Sequence, residues 1–183
     1  MEKCHSICLE MFKQRGYKII EYDDKQIIAQ KNLETKSDDS SNEDSDDEQK
    51  DLVCAFLSDT NKFNKERLKE ILGLMQKIEV KHGIIICLSD CTTAAKTIIN
   101  DIKDVRIELF KMDELQFNIT KHRLQPKFSK IDDEYATILK NKFGNKLHFL
   151  LKKDPICRFY GYERGNIIRV IRRNGYILYR MVK

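Results

Sequence analysis

Residues 154–180, DPICRFYGYERGNIIRVIRRNGYILYR, hold more local structural instruction than any other stretch of this 183-residue chain. Asp154 before Pro155 reads as a helix start: the carboxylate caps free N–H groups, and proline suits the first helical position, where an N–H has no partner. Gly161 stops that helix within two turns. After Gly165, the run Ile167, Ile168, Val170 and Ile171 suits a strand, and Asn174-Gly175 turns it into a hairpin. A two-residue type I′ loop there pairs Arg173 with Tyr176, Arg172 with Ile177, Ile171 with Leu178, Val170 with Tyr179 and Arg169 with Arg180. That register gives a core face of Ile168, Val170, Arg172, Ile177, Tyr179 and Met181. The other face carries Arg169, Ile171, Arg173, Tyr176, Leu178 and Arg180, where three arginines repel one another unless an acidic partner covers them. An ordinary solvated basic face stands beside that reading.

Charge is distributed unevenly along the chain. Residues 34–51 hold nine acids and two bases (−7), whereas residues 119–183 hold sixteen bases and five acids (+11). A basic C-terminal third points to nucleic acid or to an acidic protein surface. The acidic stretch ETKSDDSSNEDSDDEQKD has no apolar side chain to offset the entropy of ordering, so it reads as a disordered loop between strands. No apolar run approaches the ~18–20 residues that span a bilayer, so no membrane is expected. The first residues carry charges inside an apolar pattern and no small-residue cleavage site, so export is not expected either. Six cysteines, at 4, 8, 54, 87, 91 and 157, read as unpaired thiols of a reducing compartment, with no metal site.

Ahead of the hairpin, the apolar residues Cys4, Ile7, Cys8, Met11 and Phe12 follow helical spacing, ended by Gly16. Two short strands at 17–22 and 26–30 flank the Asp23-Asp24 turn. Strands at 52–57, 84–88 and 105–110 then alternate with helices at 62–77 and 92–102, which argues for a parallel or mixed sheet covered by helices. Residues 1–120 are thus expected to form an α/β domain. Pro126 marks the boundary region of a smaller α+β domain assigned to 121–183, whose next helix is expected to start at Ser129 and stop at Gly144. No phosphate loop, serine elbow or zinc-protease motif is present, and no catalytic residue or cofactor is expected. One enzymatic alternative is a Mg²⁺-dependent nuclease using Glu79-Val80-Lys81 with Asp59 as second carboxylate. A stand-alone nucleic-acid-binding protein is another.

Asp154, Pro155, Arg158, Tyr160, Gly161, Arg164, Gly165, Ile168, Ile171, Arg172, Tyr179 and Arg180 match a pattern whose order and spacing hold through Arg172. It resembles the C-terminal assembly domain of the fifth-largest subunit of eukaryotic nuclear DNA-directed RNA polymerases, which has an archaeal counterpart. The family's longer serine/threonine-rich turn is here reduced to Asn174-Gly175. Its junction H-x-L-x-P-K-H appears as His122-Arg123-Leu124-Gln125-Pro126-Lys127-Phe128, with phenylalanine replacing the last histidine. Arg15-Gly16-Tyr17, Gly83, Thr92-Thr93-Ala94-Ala95-Lys96, Glu108-Leu109-Phe110 and Asn118-Ile119-Thr120-Lys121-His122 resemble the eukaryotic subunit's jaw domain.

The resemblance implies a non-catalytic polymerase subunit with a jaw-like N-terminal domain and an assembly domain ending in a β-hairpin. Its partners would be the largest subunit, an omega-like small subunit and, through the assembled complex, downstream double-stranded DNA, with no homo-oligomer. The implied partner-binding residues are Asp154, Arg158, Tyr160, Arg164, Arg169, Arg173, Tyr176 and Arg180. No residue is assigned to DNA, and any contact there should be phosphate-directed and sequence-blind. The shortened hairpin and acidic insertion mark a divergent member, from a rapidly evolving eukaryote or a large DNA virus. Its place would be the nucleus, or the virion or cytoplasmic viral factory.

Overall fold

The computed structural model describes residues 2–31, 52–58 and 63–183. The expected acidic loop at 34–51 and the candidate carboxylate Asp59 lie outside them. The chain forms two compact units, Met1–Phe117 and Asn118–Lys183. Both are α+β, each a mixed sheet with helices.

In the first unit, helix α1 (Glu2–Gln14) buries Cys4, Cys8, Met11 and Phe12, the residues whose spacing defines its apolar side. Gly16 follows at φ 82°, a left-handed conformation that costs glycine nothing. Strands β1 (Tyr17–Tyr22), β2 (Gln26–Lys31) and β3 (Leu52–Ser58) run antiparallel, and β3, β4 (His82–Cys87) and β5 (Arg106–Lys111) run parallel, giving the order β1-β2-β3-β4-β5. Helices α2 (Lys65–Lys77) and α3 (Thr93–Asp101) supply the crossovers. Alternation along the strands separates two faces. Cys54, Phe56, Ile85 and Cys87 share a buried core with Leu68, Ile71 and Met75 of α2 and Ala95 of α3. Val53, Ala55, Leu57, Ile84 and Ile86 point the opposite way and are equally buried, which is why β3 and β4 read as continuous apolar runs.

In the second unit, strand order is β6-β8-β9-β7, with β6 Lys127–Lys130, β7 His148–Leu150, β8 Ile167–Ile171 and β9 Ile177–Val182. Strand β6 corrects the expected helix start at Ser129. Phe128 pairs with Val170 and Lys130 with Ile168, and Ile131 N–H donates to Ile167 C=O at 3.2 Å. A distant strand thus claims this backbone, and helix α4 (Asp133–Phe143) begins only after Asp132, ending at Gly144. Helix α5 (Pro155–Tyr160) is capped as its sequence predicts: Asp154 Oδ1 accepts from Ile156 N–H at 2.9 Å, and Gly161 ends it at φ 68°.

This sheet is covered on both faces. Ile168 and Val170 pack with Cys157 of α5, Leu150, Tyr162 and Val182. Ile167 packs the other way, with Ala136 and Leu139 of α4 and with Tyr179 and Met181. Adjacent Ile167 and Ile168 are both fully buried. Each such side chain contributes roughly 1.5–3 kcal/mol of apolar burial, so both helices are needed to hold β8.

Candidate partner-binding face of the C-terminal unit

The expected hairpin register is off by one residue. Strands β8 and β9 pair Ile171 with Ile177, Val170 with Leu178, Arg169 with Tyr179 and Ile168 with Arg180. The loop has three residues rather than two. Gly175 N–H donates to Arg172 C=O at 2.9 Å, Arg172 N–H to Tyr176 C=O at 2.9 Å, and Gly175 sits at φ 82°. This is a type I turn closed by a left-handed glycine bulge, the common three-residue hairpin. Asn174 Oδ1 accepts from Tyr176 N–H at 3.2 Å, tying the bulge down.

A slip of one residue moves every β9 side chain to the other face. Arg169 and Arg180 are therefore not opposed and lie on opposite faces of the sheet. Arg180 belongs to the α5 side, where a guanidinium nitrogen donates to Phe149 C=O at 3.2 Å. Arg169 is exposed on the α4 side, across from Tyr179, which hydrogen-bonds Tyr135 of α4. On β8, Arg169 and Ile171 share one face, accompanied by Ile177 and Tyr179 in place of Leu178 and Arg180, while Arg173 and Tyr176 lie outside the strands at the hairpin turn.

The pairing of β6 enlarges that face. Lys127 lies opposite Ile171 and Ser129 opposite Arg169, so Lys127 shares the arginine face. Beyond it, the turn from His122 to Gln125 is closed by Gln125 N–H donating to His122 C=O at 2.9 Å. Between this turn and the hairpin loop lies a cleft of about 700 Å³, lined by Arg123, Gln125 and Lys127 on one side and by Ile171, Arg172, Arg173 and Gly175 on the other. Ile177 is 47% exposed and Tyr176 61% exposed nearby in sequence. Arg123, Lys127, Arg172 and Ile177 were not singled out as partner residues. The signal for Arg123 and Lys127 was present in the basic junction, but only a β6–β8 pairing brings them to the hairpin.

The other expected site residues divide into structural and accessible ones. Asp154 is the α5 cap. Tyr160 is half-buried and stacks on Tyr162, centroids 5.2 Å apart and planes 15° from parallel. Burial raises the Tyr160 phenol, and a hydrogen bond with Thr120 partly offsets this. Arg158 is half-buried, whereas Arg164 and Arg173 are exposed.

The nuclease alternative finds little support in side-chain placement. Glu79 and Lys81 are exposed at the turn into β4, and Glu79 is held at φ 57°. Strands β3 and β4 read LVCAFLS and HGIIIC, with no carboxylate. Glu108 on β5 is clamped by Arg15, His82 and Arg106 at 2.8–3.0 Å. No group of three metal-ligating side chains occurs among the described residues. All six cysteines are buried free thiols. No described helix is long and apolar enough to cross a membrane.

Residues 117–182 match the family model described as RNA polymerase Rpb5, C-terminal domain, and residues 2–117 match one described as restriction endonuclease. A putative DNA-directed RNA polymerase subunit of Invertebrate iridescent virus 6 is 32% identical, covering 99% of this chain and 98% of that protein. A subunit of DNA-directed RNA polymerases I, II and III of Dictyostelium discoideum is 27% identical, covering 94% and 92%. An RNA polymerase V subunit 5A of Arabidopsis thaliana is 26% identical, covering 88% and 77%.

Proposed function

The chain belongs to the family of fifth subunits of DNA-directed RNA polymerase, and from that premise we propose how its two units divide the work. It is a non-catalytic subunit of a multisubunit polymerase, whose active site lies in the large subunits. The full-length similarity to the viral subunit carries this reading. In our reading the assembly unit, residues 121–183, docks on the largest subunit beside an omega-like small subunit. Arg169, Ile171, Arg173 and Ile177 meet that partner, with Arg158 on α5 and Arg164 just beyond it. Residues 1–120 form part of the jaw near downstream DNA and touch it through phosphates alone. The nucleus, or a viral factory for a viral member, is the expected location.

The match of residues 2–117 to a restriction endonuclease family speaks for a nuclease reading of the first unit. Among the described residues, β3 and β4 offer no carboxylate for that chemistry. Hydrolysis needs carboxylates free to hold Mg²⁺ beside the scissile phosphate. Here the central strands are apolar, and the Glu108 carboxylate is committed to Arg15. The fold is kept without that function.

Expression of tagged wild-type chain beside a tagged Arg169→Glu/Arg173→Glu variant tests the docking face. Wild type should be recovered with two very large polypeptides and the variant should not, while both melt at the same temperature. Equal recovery sinks the assignment of this face.

A further inference from the structure

Four cations, Arg123, Lys127, Arg172 and Arg173, line one cleft with Ile171, and no carboxylate shares the lining. Their positions are imposed by backbone: Lys127 by its pairing with Ile171, Arg172 and Arg173 by the hairpin turn. Like charges held together in this way repel, and an anionic occupant relieves the repulsion. The neighbouring surface decides which anion fits. Ile177 pairs with Ile171 across the hairpin and remains 47% exposed. A phosphodiester backbone offers nothing apolar to cover it. An extended peptide does, because its side chains alternate between two directions, so acids and apolar residues at alternate positions meet the cations and the isoleucines separately. The cleft also adjoins β6, one of the two edge strands of its sheet, and a sheet edge is where an extended chain adds by main-chain pairing.

We propose that this cleft and the adjoining Ile171–Ile177 surface bind an acidic, extended segment of a protein partner in which carboxylates alternate with apolar side chains. The proposal rests on the assembly-subunit reading and names the chemistry of the segment docked there. Bidentate arginine–carboxylate bonds supply direction, and burial of Ile177 supplies selectivity over a purely charged polymer.

The test uses the full chain at physiological ionic strength with four labelled probes: short peptides alternating Glu with Val, Gln with Val and Glu with Gly, and a DNA duplex. The Glu–Val peptide should bind tightest, with the Gln–Val and Glu–Gly peptides about tenfold weaker or more. Arg123→Glu/Arg173→Glu should weaken the Glu–Val peptide by about tenfold or more. Ile177→Ser should weaken it while leaving the Glu–Gly peptide unchanged. All substituted positions are exposed, and unchanged melting confirms that the variants fold. Duplex DNA binding more tightly than the Glu–Val peptide and lost on the same substitutions overturns the proposal, as does equal binding of the Gln–Val peptide or no peptide binding. Assembly is scored separately. If wild type assembles and Arg123→Glu/Arg173→Glu assembles equally well, the cleft proposal fails and the subunit reading stands. If wild type fails to assemble, the subunit reading fails whatever the peptides do.

Discussion

Arg15 grips Glu108 with both terminal nitrogens, Nη1 to Oε1 at 3.2 Å and Nη2 to Oε2 at 2.8 Å, joining the end of α1 to β5. The arginine side chain is only 3% exposed. His82 Nε2 and Arg106 Nη2 reach the same carboxylate at 2.8 and 3.0 Å. Burial alone would raise the Glu108 carboxyl, but the His82 hydrogen bond and the charge and hydrogen bonds of Arg15 outweigh it and hold the group well below the usual carboxylate range. Arg15-Gly16-Tyr17 and Glu108-Leu109-Phe110 stand out separately in the sequence, and the fold makes them the two halves of one ion pair.

The sign of the resulting pH dependence follows from that depression. Stability from the pair is fully present above the unfolded carboxylate value, about 4.3, and is lost as pH falls below it. The melting temperature of the wild type should drop between about pH 5 and pH 3, and that of Glu108→Gln should drop less. At neutral pH the variant should already be less stable by about 3–5 kcal/mol, because Arg15 stays buried without its counter-charge. Thermal melts across this range check both expectations, and parallel curves for the two proteins contradict the account.

Asp154 separates a structural from a recognition role. Its carboxylate caps α5, so Asp154→Ala should cost about 1 kcal/mol of stability and Asp154→Asn little. Chemical denaturation of both variants measures this. An Asp154→Ala protein as stable as wild type, yet defective in assembly, would return the residue to the partner interface.

The hairpin register has a direct spectroscopic signature. Arg172 and Tyr176 form a hydrogen-bonded pair, so Ile171 opposite Ile177 and Arg169 opposite Tyr179 are close, non-hydrogen-bonded pairs. Cross-strand Hα–Hα contacts in NMR should therefore link Ile171 to Ile177 and Arg169 to Tyr179. Contacts linking Arg172 to Ile177 and Val170 to Tyr179 would indicate the two-residue loop, in which those are the non-hydrogen-bonded pairs.

Elements whose signals are local were legible from sequence. The α1 periodicity, the Asp154-Pro155 start, the Gly161 stop and the apolar runs of β3 and β4 all correspond to observed structure. The misreadings arise where a distant partner decides. Asn174-Gly175 suits a two-residue or a three-residue hairpin equally, since both need glycine in a left-handed conformation. Ser129 offers a plausible helix cap, yet pairing with Arg169 forty residues away outweighs it. Nor does local pattern reveal that α4 covers the second face of β8, because Ile167 and Ile168 read the same in a one-sided or two-sided sheet. The basic cleft was hidden for the same reason: its walls are 44 or more residues apart in sequence, from Lys127 to Ile171.

Buried thiols should be inert. Burial, followed by the neighbouring Cys4, pushes Cys8 up to about 12. Burial and then the Asp154 charge do the same to Cys157, again to about 12. A thiolate-specific reagent at neutral pH should leave both unlabelled in the native protein and label both after denaturation. Rapid native labelling of Cys157, checked by mass spectrometry, would mean that α5 opens from the sheet.

The central claim is tested most directly by purifying the tagged chain from its native source through a high-salt wash, then counting the proteins that remain and assaying templated RNA synthesis. Membership in a working polymerase predicts two very large polypeptides at equal stoichiometry with the chain, and RNA made from the added template. A chain that emerges alone, with no synthesis in any fraction that contains it, contradicts the account.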